Sequence, residues 1–116
     1  MKIAVCLSGQ LRQWEMGVKN QKWFWSTANK ENVEVDYFAH TWTYSWDRLG
    51  VSRPYEQRVV TQEEIDSFKA EYDLKGLLVD SRPQNQFRGN DHWSALFYSF
   101  YKSLELKREY EIKNNF

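Results

Sequence analysis

The sequence opens on a short, uninterrupted apolar run, Ile3-Ala4-Val5-Cys6-Leu7, which stops at Ser8-Gly9. Apolar residues at consecutive rather than alternate positions are what a strand covered on both faces needs, and such strands belong to parallel sheets. Parallel neighbours cannot be joined by a tight hairpin. They require a crossover, usually a helix. This one run therefore pushes the fold toward alternating strands and helices.

The rest of the chain fits that alternation. Residues 13–28 place Trp14, Val18, Phe24, Trp25 and Ala28 at near-helical spacing, with lysines between them. Residues 33–39, Val-Glu-Val-Asp-Tyr-Phe-Ala, are rich in β-branched and aromatic types and predict a second strand. Residues 40–60 read as a long loop containing Gly50 and Pro54, and loops of that length are usually functional. Thr61-Gln62-Glu63-Glu64 is a capping-box pattern, and Ile65, Phe68 and Tyr72 mark one face of the helix it starts. A third strand falls within residues 75–80, followed by a polar loop over 81–90. Asn90 or Asp91 then caps a last helix running to about Lys113. In that helix Trp93, Leu96, Phe97, Phe100, Tyr101 and Leu104 form a wide apolar stripe, expected to face the core.

The expected architecture is α/β: a β-α-β-α-β-α chain in two or three layers around a mainly parallel sheet, Rossmann-like in outline. All 116 residues form one domain. Two strand orders fit. In a 3-2-1 order the first strand has an open apolar edge, whereas in a 2-1-3 order it is central.

Charge excludes two function classes. The net charge is zero, and neither half carries a basic block: 8 basic and 6 acidic groups in the first 58 residues, 8 and 10 in the last 58. Nucleic-acid binders show a basic stripe, and membrane-surface segments a polybasic cluster, so neither partner is expected. No run approaches the roughly 18 apolar residues of a membrane span. Cys6 is the only cysteine. It admits no internal disulfide and lies inside an apolar run, which points to a core position and a reducing, cytoplasmic compartment. Aromatic residues reach 17%, six of them Trp, which suggests bulky packing or a surface made for contact.

Ligands of open parallel sheets bind at the carboxyl ends of the strands, which here means loops 8–12, 40–60 and 81–91. In the first, Gly9 allows close backbone approach. The following helix offers N–H groups to an anion, and Arg12 can pair with a phosphate. An ordinary strand-to-helix turn with a solvated Arg is an equally good reading. His40, Thr41 and Trp42 close the second strand. His40 suits a phosphate donor or an acid–base role, although a histidine bonded to a neighbouring loop is the commoner outcome. Trp42, Tyr44 and Trp46 alternate as a stacking wall or as packing for the long loop. Asn90, Asp91, His92 and Ser94 can hold a polar ligand at a helix start, although capping is the commoner role for Asn90 and Asp91. No Ser-His-Asp order and no spaced carboxylate pair is evident, and no metal site is expected within these residues.

Three segments, in order, carry a resemblance: CLSGQLR at 6–12, VDYFAHTW at 35–42 and NDHWSALFYSFYKSLELKREYE at 90–111. Together they resemble a family of viral, phage and bacterial glycosyltransferase-like proteins with a GT-A-type nucleotide-sugar fold. The resemblance implies that Ser8, Gly9, Gln10 and Arg12 face a nucleotide diphosphate. It also implies that His40, Thr41 and Trp42 lie beside the nucleotide or sugar, and that Asn90 and Ser94 begin a helix near the same cleft. In that family the last helix leads into a strand of the type Tyr-Asp-x-Val-x-Arg-x-Arg-x-Asp, whose acidic end holds Mn²⁺ or Mg²⁺. Here the sequence stops at Phe116 and contains no Asp-x-Asp. The expectation is thus a nucleotide-sugar-binding half, lacking the metal motif and the acceptor half. As an enzyme it would be completed by further chain or a partner. Two alternatives are a non-enzymatic α/β interaction protein, self-associating or binding a partner through the strand edge or the Trp-rich loop, and, more weakly, a phosphate-ligand hydrolase using His40.

Overall fold

The structure, a computed structural model, describes residues 2–12, 14–28, 33–47, 52, 56–81 and 92–115. Its elements are β1 (Lys2–Ser8), α1 (Trp14–Ala28), β2 (Glu34–Trp42), β3 (Tyr44–Asp47), β4 (Glu56–Val59), α2 (Gln62–Tyr72), β5 (Gly76–Asp80) and α3 (His92–Lys113). β1, β2 and β5 form a parallel sheet in the order β1-β2-β5. Its register sets Ser8 beside His40 and Trp42 beside Asp80. The α/β class expected from the alternation is therefore present. Of the two strand orders, the one that leaves the first strand at an edge is found.

That edge corrects one expectation. β1 is half-exposed along most of its length rather than covered on both sides, because among the described residues no strand lies outside it. The long loop is corrected too. β2 runs on through His40, Thr41 and Trp42, and β3 and β4 pair as an antiparallel hairpin with Tyr44 opposite Val59. Thr43 N donates to Asp80 O at 2.9 Å, which anchors this hairpin to the sheet, and Val60 N to Thr43 O at 2.9 Å extends the hairpin's own pairing. Neither partner is near in sequence, so local composition alone reads as loop.

The two sheet faces bury different chemistry, because successive strand residues point to opposite sides. Leu7, Tyr37, Ala39 and Leu77 share an apolar cluster with Leu11, Val18, Phe68 and Tyr72, so α1 and α2 cover this face. Phe38, His40 and Trp42 point the other way, toward α3. There Phe38 meets Tyr110 edge-on at 5.4 Å. On this same α3 side Asp36 is buried and ion-paired with Lys2 at 3.4 Å. α2 starts as its capping pattern predicts: Thr61 Oγ1 accepts the Glu64 N–H at 3.2 Å. The Glu64 carboxylate does not close the box. It receives both Arg58 Nη1 (2.7 Å) and Nη2 (2.9 Å) instead. Arg58 Nη2 also donates to Leu11 O at 3.0 Å, clamping the hairpin to the β1–α1 turn.

α3 differs most from expectation. In its amino half the sheet-facing residues are the small ones, Ala95, Ser99 and Ser103, all buried, and farther on Leu106 and Tyr110 meet Gly76 and Phe38. The apolar stripe points outward: Leu96 is 49% exposed, Phe97 66%, Phe100 51%, Tyr101 59% and Leu104 40%. Trp93 lies in the first turns of α3, and its side chain is outside the described residues. The reason is close approach. A Cβ on Gly76 of β5 would stand only 3.2 Å from Leu106 Cβ and 3.2 Å from Phe38 Cδ1, so the helix is seated close to its sheet, and small residues fill the amino half of the contact. The two serine hydroxyls are satisfied locally. Ser103 donates to Phe100 O at 2.7 Å, and Ser99 joins the network described below.

Burial pushes the phenols of Tyr37, Tyr72 and Tyr98 above their ordinary range. Their folded-state protons are thus held more tightly than in the unfolded chain. The stability this reflects is complete below the unfolded phenol value of about 10 and is lost as pH climbs through the raised folded values. Urea unfolding is expected to show a lower midpoint at pH 11 than at pH 8, with no comparable loss between pH 8 and about 9.5.

Candidate functional site

The carboxyl ends of β1, β2 and β5 meet at one sheet edge, and the sequence-predicted residues of the first two loops meet there. Gly9 follows β1 with φ 120°, a region side-chain-bearing residues rarely enter, and no atom lies within 4 Å of where its Cβ would be. The turn is therefore both dependent on glycine and open on its outer side. Its backbone is held from behind. Gly9 N–H points at His40 O (3.3 Å) and Ser99 Oγ (3.1 Å), and Gly9 O accepts the Thr41 hydroxyl at 2.7 Å. Leu11, buried to 3%, pins the far side of the turn. Arg12 Nη2 donates to Gln10 Oε1 at 3.0 Å, which sets the exposed guanidinium beside the glycine turn.

His40 is the centre of a buried chain. Its Nδ1 lies 2.6 Å from Ser99 Oγ and its Nε2 lies 2.7 Å from Asp80 Oδ2. The ring is 1% exposed and Ser99 0%. With Nε2–H donating to the carboxylate, Nδ1 accepts from the serine hydroxyl, which in turn accepts from Gly9 N–H. Tyr98 Oη donates to the same Asp80 oxygen at 3.3 Å. Ser, His and Asp thus stand in line, an arrangement that spacing did not reveal. It is not the geometry of a hydrolase: the serine sits on Nδ1 and the carboxylate on Nε2, the reverse of the nucleophilic triad, and the hydroxyl is sealed from solvent. Both ring nitrogens are engaged, so none is left for a substrate phosphate. The network instead ties β1, β2, β5 and α3 together directly behind the Gly9 turn.

Trp42 closes the same wall. It is 4% exposed, stacks on Tyr98 at 5.8 Å and 29°, and meets the His40 ring edge-on at 5.0 Å. Tyr44 lies 6.2 Å from it. Of the two roles read for these aromatics, Trp42 takes the packing role.

The expected site residues divide accordingly. Ser8 and Arg12 are exposed, and Gly9 and Gln10 are half-buried. His40, Thr41 and Trp42 lie underneath and shape the turn without reaching solvent. Ser94 is in the first turn of α3, and Asn90 lies outside the described residues. Sequence reasoning missed Asp80, Tyr98, Ser99 and Arg58. Two signals were available: an acidic residue ending the third strand, and small residues at Ala95, Ser99 and Ser103, spaced by four along α3. Burial raises the Cys6 thiol, and Lys107 offsets this only in part, so this cysteine is a poor nucleophile. Among the described residues no three His, Cys, Asp or Glu side chains gather to hold a metal ion, and no helix is long and apolar enough to cross a membrane.

Fold and site together define a small α/β domain with a three-stranded parallel sheet and a glycine turn at its carboxyl edge. Protein-family models, curated proteins and solved structures gave no match to this chain.

Proposed function

We propose that the chain is a nucleotide-sugar-binding domain related to glycosyltransferases, with the turn Ser8-Gly9-Gln10-Arg12 receiving the diphosphate. The observation that carries this reading is the Gly9 turn. It is open on its outer side, rigidly backed by Thr41, His40 and Ser99, and flanked by an exposed guanidinium. A polyanion approaching there meets Arg12 and the amino end of α1, both of which favour negative charge. His40, Thr41 and Trp42 act as positioning residues, and the family resemblance assigns Asn90 and Ser94 to the same site. Mn²⁺ or Mg²⁺ would neutralise the leaving diphosphate in a complete enzyme. The described donors do not form a cluster for such an ion, so no catalytic step is assigned to this chain. A cytoplasmic location, where nucleotide sugars and free thiols coexist, belongs to the same proposal.

The test is a panel of UDP-, GDP- and CMP-sugars, with and without Mn²⁺, followed by thermal shift and by amide chemical shifts. Binding is expected to perturb the amides of residues 8–12 first. Arg12→Ala is expected to weaken it about tenfold, the loss of one charge-assisted contact, with the unliganded midpoint unchanged. Absence of any shift with every donor at millimolar concentration refutes the proposal. The interaction-protein reading is favoured by a different observation, the outward apolar face of α3.

A further inference from the structure

We infer that β1 and the outward face of α3 form a two-fold interface with a second copy of this chain. The interface is independent of the nucleotide proposal.

The edge strand is the first element. Gly9 N–H points toward β2, so by alternation Ile3, Val5 and Leu7 share that side while the amides of Ala4, Cys6 and Ser8 point outward. Natural edges meant to stay free carry charges, prolines or bulges. From Ile3 to Ser8 this edge has neither a charge nor a proline, and its register with β2 is one-to-one.

Helix placement is the second. α3 packs on β1 and β2 more than on β5, so it sits toward the β1 side of the sheet. A two-fold axis midway between β1 and a strand added outside it then sets the two α3 helices on the same face of the joined sheet, side by side across the new strand pair.

The third element is self-complementarity, which a two-fold contact requires. α3 runs antiparallel to β1: Ser99 lies at the carboxyl end of β1, whereas Lys107 and Glu111 line a cleft of about 240 Å³ with Ile3 and Ala4 at its amino end. The amino half of α3 thus carries exposed apolar side chains, Leu96 and Phe100, and its carboxyl half a cleft whose walls include Lys2, Asp36, Lys107 and Glu111. A two-fold axis through Val5 turns the amino half of each α3 toward the carboxyl half of the other. It also makes Ala4 and Cys6 of the two copies a hydrogen-bonded antiparallel pair, with the two Val5 residues opposite each other.

Area is the fourth. The exposed parts of Leu96, Phe97, Phe100, Tyr101 and Leu104 come to roughly 500 Å², taking an aromatic side chain at about 200 Å². With the strand edge and the cleft, the face approaches the roughly 800 Å² per partner of a standard stable interface.

Light scattering coupled to gel filtration is expected to give about twice the 14.0 kDa chain mass. The double variant Leu96→Glu/Phe100→Glu changes only exposed positions. It is expected to keep the native circular dichroism while raising the dimer dissociation constant about thirtyfold or more. Ala4→Pro removes an outward amide and no bond to β2, and is expected to act likewise. Val5→Cys in a Cys6→Ser background is expected to cross-link two chains on oxidation. A monomer at every concentration overturns the interface. So does a dimer that survives both the helix and the edge variants, or one that Val5→Cys fails to cross-link.

Discussion

Replacing His40 with alanine lowers the stability of this domain by about 3 kcal/mol, the cost of a buried cavity together with stranded hydrogen-bonding groups. The thermal midpoint falls by on the order of 10 °C in a chain of this size. The ring is 1% exposed and bridges Ser99 at 2.6 Å and Asp80 at 2.7 Å. Its removal leaves the serine hydroxyl sealed in the core and the Asp80 carboxylate without its inner donor, with the Tyr98 hydroxyl at 3.3 Å as its remaining donor among the described residues. Ser99→Ala is the milder change, about 1–2 kcal/mol, because Gly9 N–H keeps His40 O as an acceptor at 3.3 Å. Urea unfolding measures both. Amide exchange separates a local role from a merely global one: if the network holds the Gly9 turn, His40→Ala accelerates exchange at Gly9 more than at Phe68, in the opposite core. Equal acceleration at both would show that His40 is simply packing.

Trp42→Ala is expected to cost more, about 4 kcal/mol, in the range of large aromatic truncations in cores. Trp42 ends β2 with only 4% of its surface exposed and touches His40, Tyr98 and Tyr44. Domains of this size hold about 5–15 kcal/mol in all, so the variant loses a large share of its stability. Trp42→Phe keeps a ring against Tyr98 and is expected to cost less than half as much. The two sites share partners, so the double variant His40→Ala/Trp42→Ala should fall short of the sum of the singles by about 1 kcal/mol or more. Strict additivity in urea titrations would mean that the stacked wall and the hydrogen-bond chain act separately.

The residues that were legible in the sequence are those whose signals are local. Thr61 and Glu64 mark the start of α2 because a capping hydroxyl reaches only three residues ahead. Val35, Tyr37 and Phe38 mark β2 through their residue types. Ser8-Gly9 marks the turn because a backbone at φ 120° excludes side chains. The hairpin was not legible. Its bonds, Thr43 to Asp80 and Val60 to Thr43, join segments far apart in the chain. Nor was the face of α3 that meets the sheet, because periodicity shows that a helix has an apolar stripe but not what the stripe touches.

The same division holds for the candidate site. The sequence alone determined that strands and helices alternate, that Gly9 and Arg12 follow the first strand, and that His40 closes the second. These are consequences of residue type and short-range spacing. Only the tertiary structure decided that β1 is an edge, that Ser99 and Asp80 take both nitrogens of His40, and that Leu96 and Phe100 face outward. Those outcomes depend on which distant segments approach closely enough to exclude water. At α3, the absent side chain of Gly76 lets the helix come close to the sheet through Leu106, and in the amino half the small residues Ala95, Ser99 and Ser103 lie between them.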